Sequence, residues 1–267
     1  MSFLKKLLYL LKYDVTRNRW VSKSYNSNYY GIILMFHHVD DGFVDTDNCC
    51  KSTIADFKTN LENYVSHGYT FVSVSKALNI VKQKEKRRFV VVTFDDIPDS
   101  VYINAYPILK DKQIPFTIFV TPSFVNKEGF ITRKHLLELN QDPLCTIGAH
   151  TMTHPMLREE QNSKWEIEQS KKELEALLGK TVKYFAYPFG RYEAVSSSVI
   201  KEVEEAGFEC AFCTVNAPIT EVSSHSLFFL PRVVPVMGFV DEFKEEWLLF
   251  KAIKSVSKRL INKVGRE

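Results

Sequence analysis

Two adjacent carboxylates, Asp95 and Asp96, end the apolar run Val90-Val91-Val92-Thr93-Phe94. β-Branched residues ahead of two acids predict a buried strand that delivers both at its C-terminal end. Neighbouring side chains on a strand point to opposite faces, but that rule relaxes where the strand stops, so both acids can reach one cavity. There they can divide the work, one holding a cation and the other holding or losing a proton. The plainer reading is an Asp-Asp cap ahead of a helix. A second group follows the apolar run 144–147: His150 and His154, in Gly148-Ala149-His150-Thr151-Met152-Thr153-His154-Pro155. Four residues apart on a helical turn, the two imidazoles share one side. With one carboxylate they make a three-ligand metal set that leaves room for water, the arrangement of a hydrolytic site. The third group, Tyr187-Pro188-Phe189-Gly190 after the strand-like stretch 182–185, reads by itself as a Pro-Gly turn with aromatic packing.

Taken together and in this order, the three groups resemble the polysaccharide deacetylases of the NodB type, carbohydrate esterase family 4. The segments 104–110, 114–120 and 170–179 are also similar to that family, and the resemblance runs from about Gly31 to Pro235. It implies a distorted (β/α)7 barrel and a hydrolase that removes N-acetyl groups from a sugar or polysaccharide, releasing acetate. It also implies that Asp96, His150 and His154 hold a divalent metal, usually zinc, and that Asp95 is the general base. Tyr187, Pro188, Phe189 and Gly190 would line the substrate site. Removal of O-acetyl groups by the same chemistry, and an inactive carbohydrate-binding relative, are the alternatives.

The chain departs from the family in three places. Ile97 stands where a Gly usually follows the two acids, which predicts a narrower entrance. Ala186 stands where many members carry an Arg that binds the base, and Arg232 is the expected replacement, with Arg191 second. The late Leu-x-His segment that supplies the acid in many members is absent, and His225 sits in a polar Ser-Ser-His-Ser loop. In the subgroup acting on poly-N-acetylglucosamine a histidine on the first strand is the general acid. His37, in Phe36-His37-His38-Val39, matches it and is the expected acid, with His38 facing away.

These residues need elements to position them. Strand patterns alternating with helical ones predict a parallel sheet, and motifs at several strand ends predict a site on the C-terminal face of a barrel. Expected elements are a strand 31–39, helices 52–67, 75–82, 133–140, 159–178 and 196–206, and strands 70–74, 118–120, 211–215 and 227–234. One domain, 31–238, is expected in the 267-residue chain, between an amphipathic N-terminal segment and lead-in, 1–30, and a basic amphipathic C-terminal helix, 239–267. The N-terminal stretch 2–12 is too short and too charged for a signal peptide or a membrane span. A cytoplasmic location is expected, with peripheral membrane contact through that stretch as the sharper reading. A net charge of +3 is too small to argue for nucleic acid, no nucleic-acid-binding motif stands out, and no nucleic acid is expected as partner. Five cysteines, two of them adjacent, do not form a disulfide framework, and Cys210-x-x-Cys213 reads as two small core residues in a strand.

Overall fold

The computed structural model describes residues 29–42, 51–85, 87–220 and 227–235. The chain separates into a unit spanning Asn28–Val236 and another formed by 1–27 with 237–267. The expected helices at both ends, together with Cys49, Cys50 and His225, lie outside the described residues.

Seven parallel strands form the barrel: β1 (Tyr29–Phe36), β5 (Phe89–Phe94), β6 (Phe116–Val120), β7 (Cys145–Ala149), β8 (Tyr184–Ala186), β9 (Cys210–Asn216) and β11 (Leu230–Arg232). They pair in the order β1-β5-β6-β7-β8-β9-β11. Just past β11 the Val233 N–H donates to the Ile33 carbonyl at 2.7 Å, and the Met35 N–H to the Val233 carbonyl at 2.9 Å. Those two bonds close the barrel between its first and last strands. The short strands β2 (His38–Val39) and β3 (Lys51–Ser52) pair with each other, β4 (Thr70–Phe71) runs beside β5, and β10 (Ile219–Thr220) runs antiparallel beside β1.

All six residues of β5 are buried, as a strand covered on both faces requires. One apolar cluster joins Ile33, Phe89, Val91, Phe119, Tyr184, Phe212 and Leu230, residues of six barrel strands. Into it packs the helix α2 (Val74–Lys82) through Val74, Ala77, Ile80 and Val81, spaced along one face. Its neighbour α1 (Ile54–Ser66) buries Phe57, Leu61 and Tyr64. Thr53 caps α1, its hydroxyl accepting the Asp56 N–H at 3.0 Å.

After β5 comes a π-helical turn, Val101–Ala105, that leads into α3 (Tyr106–Asp111). The remaining helices are α4 (Arg133–Gln141), α5 (Ser163–Leu178) and α6 (Ser197–Glu205). α5 begins four residues later than the sequence pattern predicts and stops at Gly179, whose φ of 64° suits a glycine at that position. The first strand also ends earlier than predicted, at Phe36, so His37 stands between β1 and β2.

Candidate active site

Each chemically capable residue lies at or just beyond the C-terminal end of a barrel strand. Asp95 follows β5 and is 1% exposed. Its N–H donates to the Phe36 carbonyl at 3.0 Å, tying the ends of β5 and β1 together. Asp96 and Ile97 then take left-handed conformations, with φ of 60° and 50°, and the Ile97 N–H folds back to the Asp95 carbonyl at 2.7 Å. This reversal breaks the strand's alternation and lets two consecutive carboxylates serve one cavity. A left-handed conformation is strained for a β-branched residue, which accounts for glycine being usual at that position. The Ile97 side chain is fully buried. It therefore does not narrow an entrance, contrary to the sequence-based expectation.

Arg232, at the end of β11, is 0% exposed and meets Asp95 in a bidentate pair, Nη1 to Oδ1 and Nη2 to Oδ2, both 2.6 Å. Its Nε donates to the Cys213 carbonyl at 3.1 Å and Nη1 also to the Thr93 hydroxyl at 3.2 Å. Burial works to raise the Asp95 pKa, but the guanidinium overcomes it and holds the carboxyl below its ordinary range. Arg191, the second candidate, is exposed.

His150 directly follows β7. Two residues earlier, a Cβ on Gly148 would come within 2.6 Å of the Phe119 ring and 2.9 Å of the Tyr184 carbonyl, so only glycine permits this approach of β6, β7 and β8. The stretch from His150 to His154 is a loop and not the helical turn that the spacing predicts. Thr151 and His154 have φ of 63° and 67°, which curls the loop so that both imidazoles still meet, with ring centroids 4.9 Å apart. His150 Nδ1–H donates to the Ala186 carbonyl at 2.8 Å, which turns Nε2 inward; burial lowers the His150 pKa but Asp95 and Asp96 outweigh it, with the net direction up.

Asp96 Oδ1 lies 3.4 Å from His150 Nε2 and 3.1 Å from His154 Nε2. This oxygen is buried, yet no well-directed hydrogen bond from the described residues reaches it. One ligand atom from each of the three residues falls within a 4.8 Å cluster. Two inward Nε2 atoms can meet this carboxylate oxygen through a proton or through a shared cation, and an imidazole–imidazole–carboxylate set suits a divalent metal. Asp96 and the two histidines therefore fit a metal ion on the chemistry of their donors. Burial raises the Asp96 pKa and the two imidazoles beside it lower it, with the net direction down.

His37 Nε2 lies 3.9 Å from the other Asp96 oxygen, Oδ2, and its buried Nδ1 has no hydrogen-bond partner among the described residues. Burial lowers the His37 pKa, while Asp95 and Asp96 act to raise it. The neighbouring His38 belongs to the β2–β3 pair, opposite Lys51.

Of the four residues expected to line the substrate site, only Phe189 exposes its side chain, at 51%. Its ring stands 5.0 Å from that of His154, with Phe124 at 6.0 Å from the same imidazole. Tyr187 is buried, its hydroxyl donating to the Phe228 carbonyl at 2.8 Å; Pro188 and Gly190 are buried too. The physical reason is the turn itself: it packs against β9, with the Thr214 N–H on the Gly190 carbonyl and the Thr214 hydroxyl on the Phe189 carbonyl. These three shape the site from behind and offer no side chain to a substrate. Cys210 and Cys213 are fully buried free thiols, and burial pushes the Cys213 pKa up to about 12, which suits core residues rather than a redox pair.

Sequence reasoning did not find the groups that hold these side chains: Thr93 and the Cys213 carbonyl on Arg232, the Ala186 carbonyl on His150, and Glu166 on Thr153. Carbonyl partners leave no trace in side-chain identity. Glu166 had only a weak signal, an acid in the first turn of a helix.

A closed parallel barrel with paired aspartates and a two-histidine, one-aspartate cluster at its C-terminal mouth is an arrangement suited to holding a metal and activating water for hydrolysis. Residues 82–211 match the polysaccharide deacetylase family model. That match spans just under half of the chain. It is 29% identical over 207 residues to the poly-beta-1,6-N-acetyl-D-glucosamine N-deacetylase of Staphylococcus aureus (strain MRSA252), covering 72% of this chain and 70% of that one. Among solved structures it shares its fold with the Streptococcus pyogenes deacetylase PplD (TM-score 0.69, 23% identity, 78% of this chain and 93% of that one). It also shares it with a Bacillus anthracis chain assigned to the polysaccharide deacetylases (TM-score 0.66, 24% identity, 76% of this chain and 64% of that one).

Proposed function

We propose that this protein is a metal-dependent N-deacetylase that hydrolyses the acetamido groups of an N-acetylated amino-sugar polysaccharide, releasing acetate and leaving free amines. The observation that carries the reading is the convergence of Asp96, His150 and His154 beside the Asp95–Arg232 pair at one barrel mouth. The Staphylococcus aureus relative's substrate suggests a β-1,6-linked N-acetylglucosamine polymer as the class to test first. Two imidazoles and one carboxylate suit zinc best among common divalent ions.

Zinc held by Asp96, His150 and His154 would supply a Lewis acid for the acetyl carbonyl and would lower the pKa of the attacking water. Asp95 is proposed as the base that takes the water's proton. Arg232 keeps it ionised and fixes its orientation, so no reorganisation is needed at the moment of reaction. An amide anion is too poor a leaving group to depart unprotonated, and His37 is proposed to protonate the departing nitrogen. Phe189 offers an exposed aromatic face beside His154, against which the apolar face of a sugar ring can pack.

Acetate release from β-1,6-linked N-acetylglucosamine oligomers tests the reading, with His150→Ala as control. Acetate with a matching yield of free amine supports it. Release only from O-acetylated sugars would make the protein an esterase, and binding with no release from either would make it a carbohydrate-binding relative. No described helix is long and apolar enough to cross a membrane. A cytoplasmic location with peripheral membrane contact through residues 2–12 is proposed on the amphipathic pattern of that stretch. Fractionating cells that carry the full chain or one lacking residues 2–12 tests it, and equal distribution of the two overturns the membrane contact.

A further inference from the structure

The loop that carries His150 and His154 lacks regular structure and holds two non-glycine residues at positive φ. Such residues are strained and persist only where their surroundings over-determine them. Much of that constraint comes from Glu166, in the first turn of α5 and 5% exposed. Its Oε2 accepts the Thr153 N–H at 2.8 Å, and its Oε1 accepts the Thr153 hydroxyl at 2.7 Å. The Glu166 backbone carbonyl accepts the Met152 N–H at 3.1 Å. One residue of a neighbouring helix thus takes three donors from the two positions midway between the histidines. The barrel side adds the Thr121 hydroxyl on the His150 carbonyl at 2.8 Å and the Ser123 N–H on the Met152 carbonyl at 3.2 Å, and within the loop the His154 N–H donates to the Thr151 hydroxyl at 3.0 Å.

A buried carboxylate is costly to keep unless hydrogen bonds satisfy it, and an apolar residue would serve packing alone at least as well. Both oxygens of Glu166 go to the residue directly before His154. We propose that Glu166 is a positioning residue for the metal centre: by gripping Thr153 it holds the His150–His154 loop in the strained form that turns both imidazoles toward Asp96. The proposal rests on reading Asp96, His150 and His154 as metal ligands.

The test is a titration of the metal-free full chain with zinc alone, in competition with a chromophoric chelator. The parent is compared with Glu166→Ala, Glu166→Gln, Thr153→Val and His154→Ala. Supporting groups behind metal ligands are typically worth about 10–100-fold in metal affinity, so Glu166→Ala should bind zinc about that much more weakly. Glu166→Gln should stay within about threefold, because its amide oxygen can accept the Thr153 N–H while its amide nitrogen donates to the Thr153 hydroxyl. Thr153→Val, which loses one of the two carboxylate contacts, should fall between the parent and Glu166→Ala. Thermal unfolding of the metal-free proteins separates positioning from simple structural support. A lower midpoint for Glu166→Ala with parental zinc affinity overturns the proposal. If Glu166→Ala does not fold, Thr153→Val decides, and parental affinity there overturns it equally. A parent that binds zinc no better than His154→Ala overturns the metal-site reading itself, and the role of Glu166 with it.

Discussion

Asp95 and Arg232 are 137 positions apart in the chain, yet together they form the most deeply buried charged pair among the described residues. Their pairing has a pH signature. The Asp95 pKa is lowered in the folded protein, so the group binds its proton less readily there than in the unfolded chain, where it titrates near the usual value of about 3.9. Its stabilising contribution is therefore fully present above that value and is lost as pH falls toward the folded pKa. In urea unfolding at pH 5 and 3, below the histidine range, the stability gap between the parent and Asp95→Asn should be smaller at pH 3. A gap that widens from pH 5 to pH 3 contradicts the assignment. The adjacent histidines make a second prediction at this scale. If His37 donates the proton to the leaving nitrogen, His37→Ala should lower turnover on an N-acetyl substrate by about two to four orders of magnitude, the usual worth of general acid catalysis. Zinc content should be unchanged, and His38→Ala should cost far less. An acetyl ester with a good leaving group scarcely needs protonation, so its hydrolysis should be much less sensitive. Equal losses on both substrates would mean that His37 binds or orients instead.

At the scale of elements, strained turns at strand ends do the positioning. Asp96, Ile97, Thr151, His154 and Phe189 all have positive φ, and all five lie in the loops that follow β5, β7 and β8. Ile97 allows strain and burial to be weighed against each other. Replacing it by Gly would relieve about 1–3 kcal/mol of backbone strain. The same change removes a fully buried aliphatic side chain, a loss worth about 2–5 kcal/mol. The larger effect should win, leaving Ile97→Gly about 1–3 kcal/mol less stable in chemical denaturation. A more stable variant would mean that strain dominates at this turn. The π-helical turn that follows contributes as well: the Asn104 amide donates to the Val39 carbonyl at 2.9 Å, and the Ser100 hydroxyl accepts the Val39 N–H at 3.4 Å. Both bonds clamp the chain just beyond His37 and His38.

For the whole molecule, barrel closure sets the distances. The ligands come from the ends of β5 and β7, and Arg232 comes from β11, which bonds back to β1. An ion held by residues from two such distant strands binds the folded chain and not the unfolded one, so it should stabilise the fold by mass action. Zinc at one hundred times its dissociation constant corresponds to about 2.7 kcal/mol. Differential scanning calorimetry of the parent should show the midpoint rising with zinc and falling with a chelator. The zinc-dependent rise should vanish in His154→Ala. A rise of the same size in that variant would place the stabilising metal elsewhere.

The chemistry of this protein was legible in its sequence wherever it lies in contiguous side chains. Asp95 and Asp96 at the end of a β-branched run, His150 and His154 four residues apart, and strands alternating with helices are local patterns set by residue type and spacing. They were enough to predict a parallel barrel with its site at the C-terminal mouth. What the tertiary structure alone decided is how those side chains are aimed. Only folding turns Asp96 back through a left-handed turn to join the histidines, replaces an expected helical turn by a curled loop, and buries Tyr187, Pro188 and Gly190 behind the site. Only folding brings Glu166 to Thr153 and the Ala186 carbonyl to His150. The reason is physical: backbone carbonyls carry no sequence label, positive φ at a non-glycine residue runs against local preference, and both are settled by long-range packing around a closed barrel.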